Sequence, residues 1–486
     1  MKKELLIITI MISSCGKPAK ETNPEEIGSP GDFKDHFSQY FLEDPSCLGS
    51  GNSTDLYRLL VRQWNGSQVN ENHVDIRGVT GAPNLSGPIV KRTLVSHSSE
   101  STCVATQYGY KCPDESLQNG KPVYLPLCKG SGDYSRNSYE GIGATSLYHI
   151  ESAYSYYMSL NGSLASLPRV NLFVLPKVER TIVSESDNII IERKSLENNL
   201  SYVDNYYDYP TFMIHPTKLD SDPQTDMSRP NLWESSWALS HEFGHHILTT
   251  HTGLTTSKLN SLVSSSFSNS TAADMFDAII GEEQSLTSGY RYVSPGTVWG
   301  ALNEGFADLF GYFSTGETKG QTHGIECFGK TRDLTSAVFE DGSSKQLSEQ
   351  VYNLFYSDSQ YATGSCNVPN YQSIHVMGAL IAHGLYNINN SSESPRDGGV
   401  KLIRFANEVG DFVKENRQSF ELSDLVAVGV KAISGADGKL AVNSRIRLDP
   451  NVCYTAQKSF PKLVELWNRK GYFECNIGQS YTGSYN

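Results

Sequence analysis

The segment His241-Glu242-Phe243-Gly244-His245 holds the residue types and spacing of a hydrolytic metal centre. Two histidines four apart on a helix project from one face, one turn apart. Their neutral imidazoles can then reach a single Zn²⁺ at roughly 2.0–2.1 Å. Glu242 follows the first histidine, rotated off the ligand axis but within reach of a water on the metal. Zinc lowers the pKa of such a water, and Glu242 would take its proton as it attacks a polarised carbonyl. Ala238-Leu239 before the motif and Ile247-Leu248 after it supply an apolar face to bury the helix. The chain has 12 His, so a chance match is uncommon, and this one falls on an apolar helical pattern.

Two residues compete for a third ligand. His251 completes His241-Glu242-x-x-His245-x-x-Leu248-x-x-His251, which is similar to the metzincin pattern. That pattern has glycine where this chain has Leu248, so that the helix can end and swing the third histidine back. Leucine disfavours the left-handed turn needed there. The second candidate is Glu304, in Gly300-Ala301-Leu302-Asn303-Glu304-Gly305-Phe306-Ala307-Asp308-Leu309-Phe310-Gly311. Glu304 and Asp308 are again four apart on one helix face. Glu304 could ligate the metal while Asp308 accepts the outer N–H of a ligand histidine and fixes its tautomer. The alternative for this pair is a solvated acidic stripe. Their neighbours are almost all apolar or small, and burying acidic groups without a partner is costly, so a cation explains them better.

The elements that must position these residues are legible as patterns. Tyr148–Leu160 has helical spacing and stops at Asn161-Gly162. Residues 170–175, 188–191 and 211–214 look like strands. A helix from Trp233 to about Thr250 carries the histidine motif, and another from about Val298 to Phe313 carries Glu304 and Asp308. Residues 251–271 are rich in Ser and Thr and read as a loop. Helical patterns return near 346–356, 374–388, 399–415 and 422–433. Strands early and helices late imply an α+β protein.

At 486 residues the chain can hold more than one domain, single domains running to roughly 100–200 residues. A net charge of -13 argues against a nucleic-acid partner, which needs a basic footprint. Lys2 and Lys3 precede a short apolar run, Leu5 to Ile12, as in a secretory signal. Ile12-Ser13-Ser14-Cys15 resembles a bacterial lipobox, which makes Cys15 a lipidation candidate and puts the protein on the cell envelope, at the outer membrane, periplasm or cell surface. Residues 16–31 read as a tether. Eight further cysteines, with no Cys-x-x-Cys, suggest disulfides in an exported chain. Proximity suggests pairs 103–112, 327–366 and 453–475, leaving 47–128.

The chain resembles a thermolysin-like gluzincin zinc metallopeptidase, the group that includes the fungalysins. The resemblance rests on His241–His245, on Asn303-Glu304-x-x-x-Asp308, and on Ile374-His375-Val376-Met377-Gly378-Ala379 running on to Tyr386. Tyr148–Leu160 is similar to the family's first long helix, and the similar blocks span about 144–390. The resemblance implies a zincin fold: a mixed α/β N-terminal lobe and a helical C-terminal lobe. It implies zinc on His241, His245 and Glu304, Glu242 as general base, and His375 as oxyanion stabiliser, with His383 as rival for that role. The strand at 211–214 matches by position the edge strand that pairs with substrate backbone. The substrate would be an extended peptide with an apolar side chain beyond the scissile bond.

Some family features have no match. Trp237 and Thr315 stand where acidic calcium ligands belong, which argues against calcium. The active-site tyrosine could be Tyr290 or Tyr292, and no Arg lies between Arg332 and His375 to support the histidine. No large propeptide is recognisable. The expected organisation is a signal at 1–14, a tether at 15–31, a loop-rich cysteine-bearing region at 32–140, and peptidase lobes at 141–250 and 251–486. The expectation is a monomeric, exported, lipid-anchored zinc endopeptidase. The rivals are a metzincin-type enzyme using His251 and a surface interaction protein that keeps a zincin fold without turnover.

Overall fold

The computed structural model describes residues 57–76, 87–95, 101–106, 109–111, 123–124, 136, 139–160, 167–174, 178–183, 190–196, 199–206, 209–215, 230–255, 295–318, 334, 371–389, 394–416 and 420–475. The chain divides into two compact units, Met1–His246 and Ile247–Asn486.

The first unit holds the strands β1 (Tyr57–Trp64), β2 (Val69–Ile76), β3 (Val90–Val95), β4 (Ser101–Thr106), β5 (Gly109–Lys111) and β6 (Val123–Tyr124). Helix α1 (Tyr139–Leu160) follows, then β7 (Val170–Val174), β8 (Val178–Val183), β9 (Ile190–Leu196), β10 (Asn199–Tyr206) and β11 (Tyr209–His215). A short 3-10 turn, Leu232–Glu234, leads into helix α2 (Ser236–Thr252). Strands dominate before residue 216 and helices after it, so the α+β expectation holds.

One sheet runs β10-β11-β7-β3-β6. Strands β3, β7 and β11 are parallel, and β10 and β6 close the two sides antiparallel. All five residues of β7 are buried, as suits a central parallel strand covered on both faces. Helix α1 packs against β1, β3 and β7. It begins at Tyr139, nine residues before the periodicity becomes legible at Tyr148. Buried Ile142, Leu147 and Ile150 cover its inner face. Among the described residues, the segment 32–140 contributes six strands, and β3 and β6 share the sheet of β7. The strand at 211–214 is not an edge: β11 lies between β10 and β7, and its backbone groups are already engaged on both sides.

The second unit is helical. It holds α3 (Pro295–Thr315), α4 (Tyr371–Ile388), α5 (Pro395–Glu415), α6 (Leu422–Ser434), α7 (Pro450–Ser459) and α8 (Pro461–Lys470), with the two-residue strands β12 (Ile446–Arg447) and β13 (Phe473–Glu474) paired in parallel. Its helix ends follow capping rules. The Ser394 side chain accepts from the Asp397 N–H at the start of α5, and Pro395 occupies the first turn, where no N–H is needed. Glu421 and Asp424 form a reciprocal box at the start of α6, and Gly435 ends that helix in the left-handed conformation. Helix α3 packs on α4, α5 and α6, burying Leu302, Phe306, Leu309 and Phe310. Phe306 meets Phe405 at 6.0 Å between ring centroids, and truncating either fully buried ring to alanine would cost about 3–5 kcal/mol. Cys453 and Cys475 are disulfide-bonded, as their spacing suggests. Each of the other expected pairs includes a cysteine outside the described residues. No helix among the described residues is long and apolar enough to cross a membrane.

Candidate metal centre

Helix α2 is set before its first turn. The Ser235 hydroxyl accepts from the Ala238 N–H, and the preceding turn is held by Glu234. This carboxylate is fully buried, receives the Asn231 N–H at 2.8 Å, and takes a two-pronged ion pair from Arg136 with both contacts at 2.6 Å. Arg–carboxylate pairing of this kind fixes orientation as well as distance. It ties the entry to the histidine helix to the segment just before α1.

Farther along, Trp237, His241 and His245 follow one another at intervals of four. The two imidazoles stand nearly perpendicular, at 87°, and their Nε2 atoms are 3.1 Å apart. Two nitrogens at about 2.0–2.1 Å from a tetrahedral Zn²⁺ would lie about 3.3 Å apart, close to this separation. Glu304 supplies the third atom: one ligand atom each from His241, His245 and Glu304 lies within 4.8 Å of the other two, and all three residues are buried. Two imidazole nitrogens and a carboxylate oxygen form a group that could hold a metal ion. Glu242 is buried beside them, 7% exposed.

Glu304 and Asp308 sit on α3, one turn apart, 8% and 0% exposed. Helix α3 can hold its carboxylates there because α4 approaches it without side chains in the way. A Cβ on Gly305 would stand 2.7 Å from the Gly378 carbonyl oxygen, and a Cβ on Gly378 would stand 2.4 Å from the Cβ of Glu304. Both distances are below real contacts, so glycine is required at each position for this backbone approach.

The competing ligand is placed elsewhere. Helix α2 does not end at Leu248 but continues to Thr252, where the Thr252 hydroxyl donates to the Leu248 carbonyl. It stops at Gly253, which takes φ +64. His251 therefore lies on the last helical turn, and its Nδ1 bonds the Asn407 side-chain oxygen at 2.6 Å. Burial lowers the pKa of His251 and the Asn407 bond opposes that shift. Gly410 lets α5 come close, with room for a Cβ only 3.0 Å from the His251 carbonyl oxygen. Among the described residues the group that could hold a metal ion contains Glu304 and not His251.

His375 lies on the first turns of α4, but its side chain is outside the described residues. Its rival His383 is bonded locally: Nδ1 donates to the Leu334 carbonyl at 2.9 Å, and Nε2 accepts from the Asn387 amide at 3.0 Å. Tyr290, Tyr292 and Cys15 lie outside the described residues.

Three residues that hold the histidine helix in place were not anticipated from the sequence. Arg136 and Glu234 are one pair, 98 positions apart in sequence. His246 is the third. Its Nε2–H donates to the Pro168 carbonyl at 3.0 Å, so its Nδ1 accepts from the Tyr202 hydroxyl at 3.1 Å. Phe212 and Phe243 flank the ring. One position past His245 on a helix is a rotation of about 100°, which turns His246 away from the ligands and toward the sheet. The doubled His245-His246 was the available signal.

No family model, curated protein or solved structure matches the chain.

Proposed function

We propose that the chain is a zinc-dependent endopeptidase of the gluzincin type, with a zincin fold, exported and held to the cell envelope by a lipid on Cys15. The observation that carries the reading is the convergence of His241, His245 and Glu304, buried, with Glu242 one residue after the first ligand. The donor set suits zinc, which favours imidazole and carboxylate ligands in catalytic sites that keep one position open. When bound, zinc would supply Lewis acidity, making water a competent nucleophile at neutral pH and polarising the scissile carbonyl.

The residues of the chain would do the rest. Glu242 would accept the proton of the attacking water and return it to the leaving amine. Asp308 would accept a ligand histidine's outer N–H, holding the tautomer that presents the other nitrogen to the metal. His375 would donate to the oxyanion as charge develops. An extended peptide is the proposed substrate, with no role for nucleic acid.

The test is cleavage of casein or a peptide library by the wild-type chain and by Glu242→Gln, with zinc content measured on both. Expected is equal zinc and a loss of turnover of at least about 10²-fold in the variant. Equal cleavage by the two proteins would defeat the enzyme reading. Cys15→Ser is expected to move the protein from the membrane fraction to the soluble one, and retention in membranes would defeat the anchor.

A further inference from the structure

We propose that Trp237 is a positioning residue of the metal centre, its indole holding the imidazole plane of His241 in the orientation that ligation needs. This rests on the metal-binding reading of His241, His245 and Glu304. The indole of Trp237 stacks on the His241 ring with centroids 5.2 Å apart and planes 26° from parallel. Trp237 is 1% exposed, so its packing is fixed on all sides. Its Nε1 is buried and finds no hydrogen-bond acceptor among the described residues. A tryptophan whose polar atom costs stability when buried is held there by its ring surface.

The need for such a residue follows from histidine itself. The torsion that sets an imidazole plane is broad, and the helix backbone does not determine it. His241 and His245 must nevertheless stand almost perpendicular for their Nε2 atoms to meet at 3.1 Å. An immobile indole against one face of His241 removes the freedom to rotate away. The indole face also carries negative quadrupole charge, which favours the imidazole when a cation draws electron density from it. Both effects act on metal affinity rather than on the chemical step.

The experiment uses the full chain stripped of metal by chelation, then titrated with Co²⁺ while its visible absorption is followed. Wild type, Trp237→Phe and Trp237→Leu are compared, with Zn²⁺ affinity read by competition and folding by circular dichroism. Loss of a residue that orients a ligand should weaken metal binding roughly 10- to 100-fold in Trp237→Leu and shift the cobalt bands, while Trp237→Phe, which keeps an aromatic face, stays within about threefold. A folded Trp237→Leu with wild-type affinity and wild-type cobalt bands would overturn the proposal. If that variant does not fold, intrinsic fluorescence decides. Co²⁺ should quench a component of wild-type emission that Trp237→Phe lacks, and equal quenching in both would overturn it. If wild type binds no Co²⁺ at all, the metal-centre reading fails and this one falls with it.

Discussion

Gly378 presents a bare Cα to Glu304, and a Cβ built on it would stand 2.4 Å from the Cβ of that carboxylate. The candidate ligand on α3 is thus placed by a missing side chain on α4. Gly378→Ala must push the two helices apart or turn Glu304 away from the histidines. Overpacking of this kind costs about 1–3 kcal/mol. The variant should melt several degrees lower and bind zinc more weakly, and calorimetry with a zinc titration checks both.

The choice of third ligand predicts a contrast between two alanine variants. Glu304→Ala should lose its zinc. His251→Ala should keep it, because His251 lies outside the His241, His245 and Glu304 group and its bond to Asn407 is worth about 1 kcal/mol. Metal analysis of both proteins after dialysis gives the answer, and the opposite pattern would restore the metzincin arrangement.

Zinc should also stabilise the fold. A ligand present at 100 times its dissociation constant adds about 2.7 kcal/mol. Removing it with a chelator should lower the melting temperature of the wild-type chain and leave that of Glu304→Ala unchanged.

Arg136 and Glu234 form a buried ion pair whose members depend on each other. Arg136→Ala leaves a carboxylate without its main partner at the entry to α2, a loss of about 3–5 kcal/mol. Chemical denaturation of Arg136→Ala measures it. A change under 1 kcal/mol would mean that the pair does little for the fold.

His149 makes a pH-dependent contribution. Burial holds its pKa at about 4, below the ordinary 6.5, and its Nε2–H donates to the Arg62 carbonyl. The folded chain therefore keeps this histidine neutral while the unfolded chain protonates it below about pH 6.5. Stability from this group is complete above that pH and is lost as the pH falls toward 4. The loss is about 2 kcal/mol by pH 5. Urea midpoints at pH 7 and pH 5 should differ more in wild type than in His149→Gln, which keeps a donor but cannot titrate.

Helical periodicity alone settled much of this protein. A spacing of four puts His241 with His245, and Glu304 with Asp308, on common helix faces whatever surrounds them, because 3.6 residues make a turn. The α+β class was legible from strands that come early and helices that come late, and the 453–475 disulfide from proximity in sequence. Leu248 already told against a break after His245, and the helix indeed runs on to Thr252. Other features depend on partners remote in sequence, which periodicity does not encode. Strand β3 pairs with β7, and β4 with β8, more than 70 positions away in sequence, although their own apolar runs are short. The neighbours of β11 on both sides remove it as an edge. Arg136 with Glu234, Tyr202 and Pro168 with His246, and Gly378 with Glu304 are juxtapositions across 44 or more positions, made by packing. The sequence by itself determined which residues share a helix face; the tertiary structure decided which faces meet, since a helix's repeat is local and a contact between elements is not.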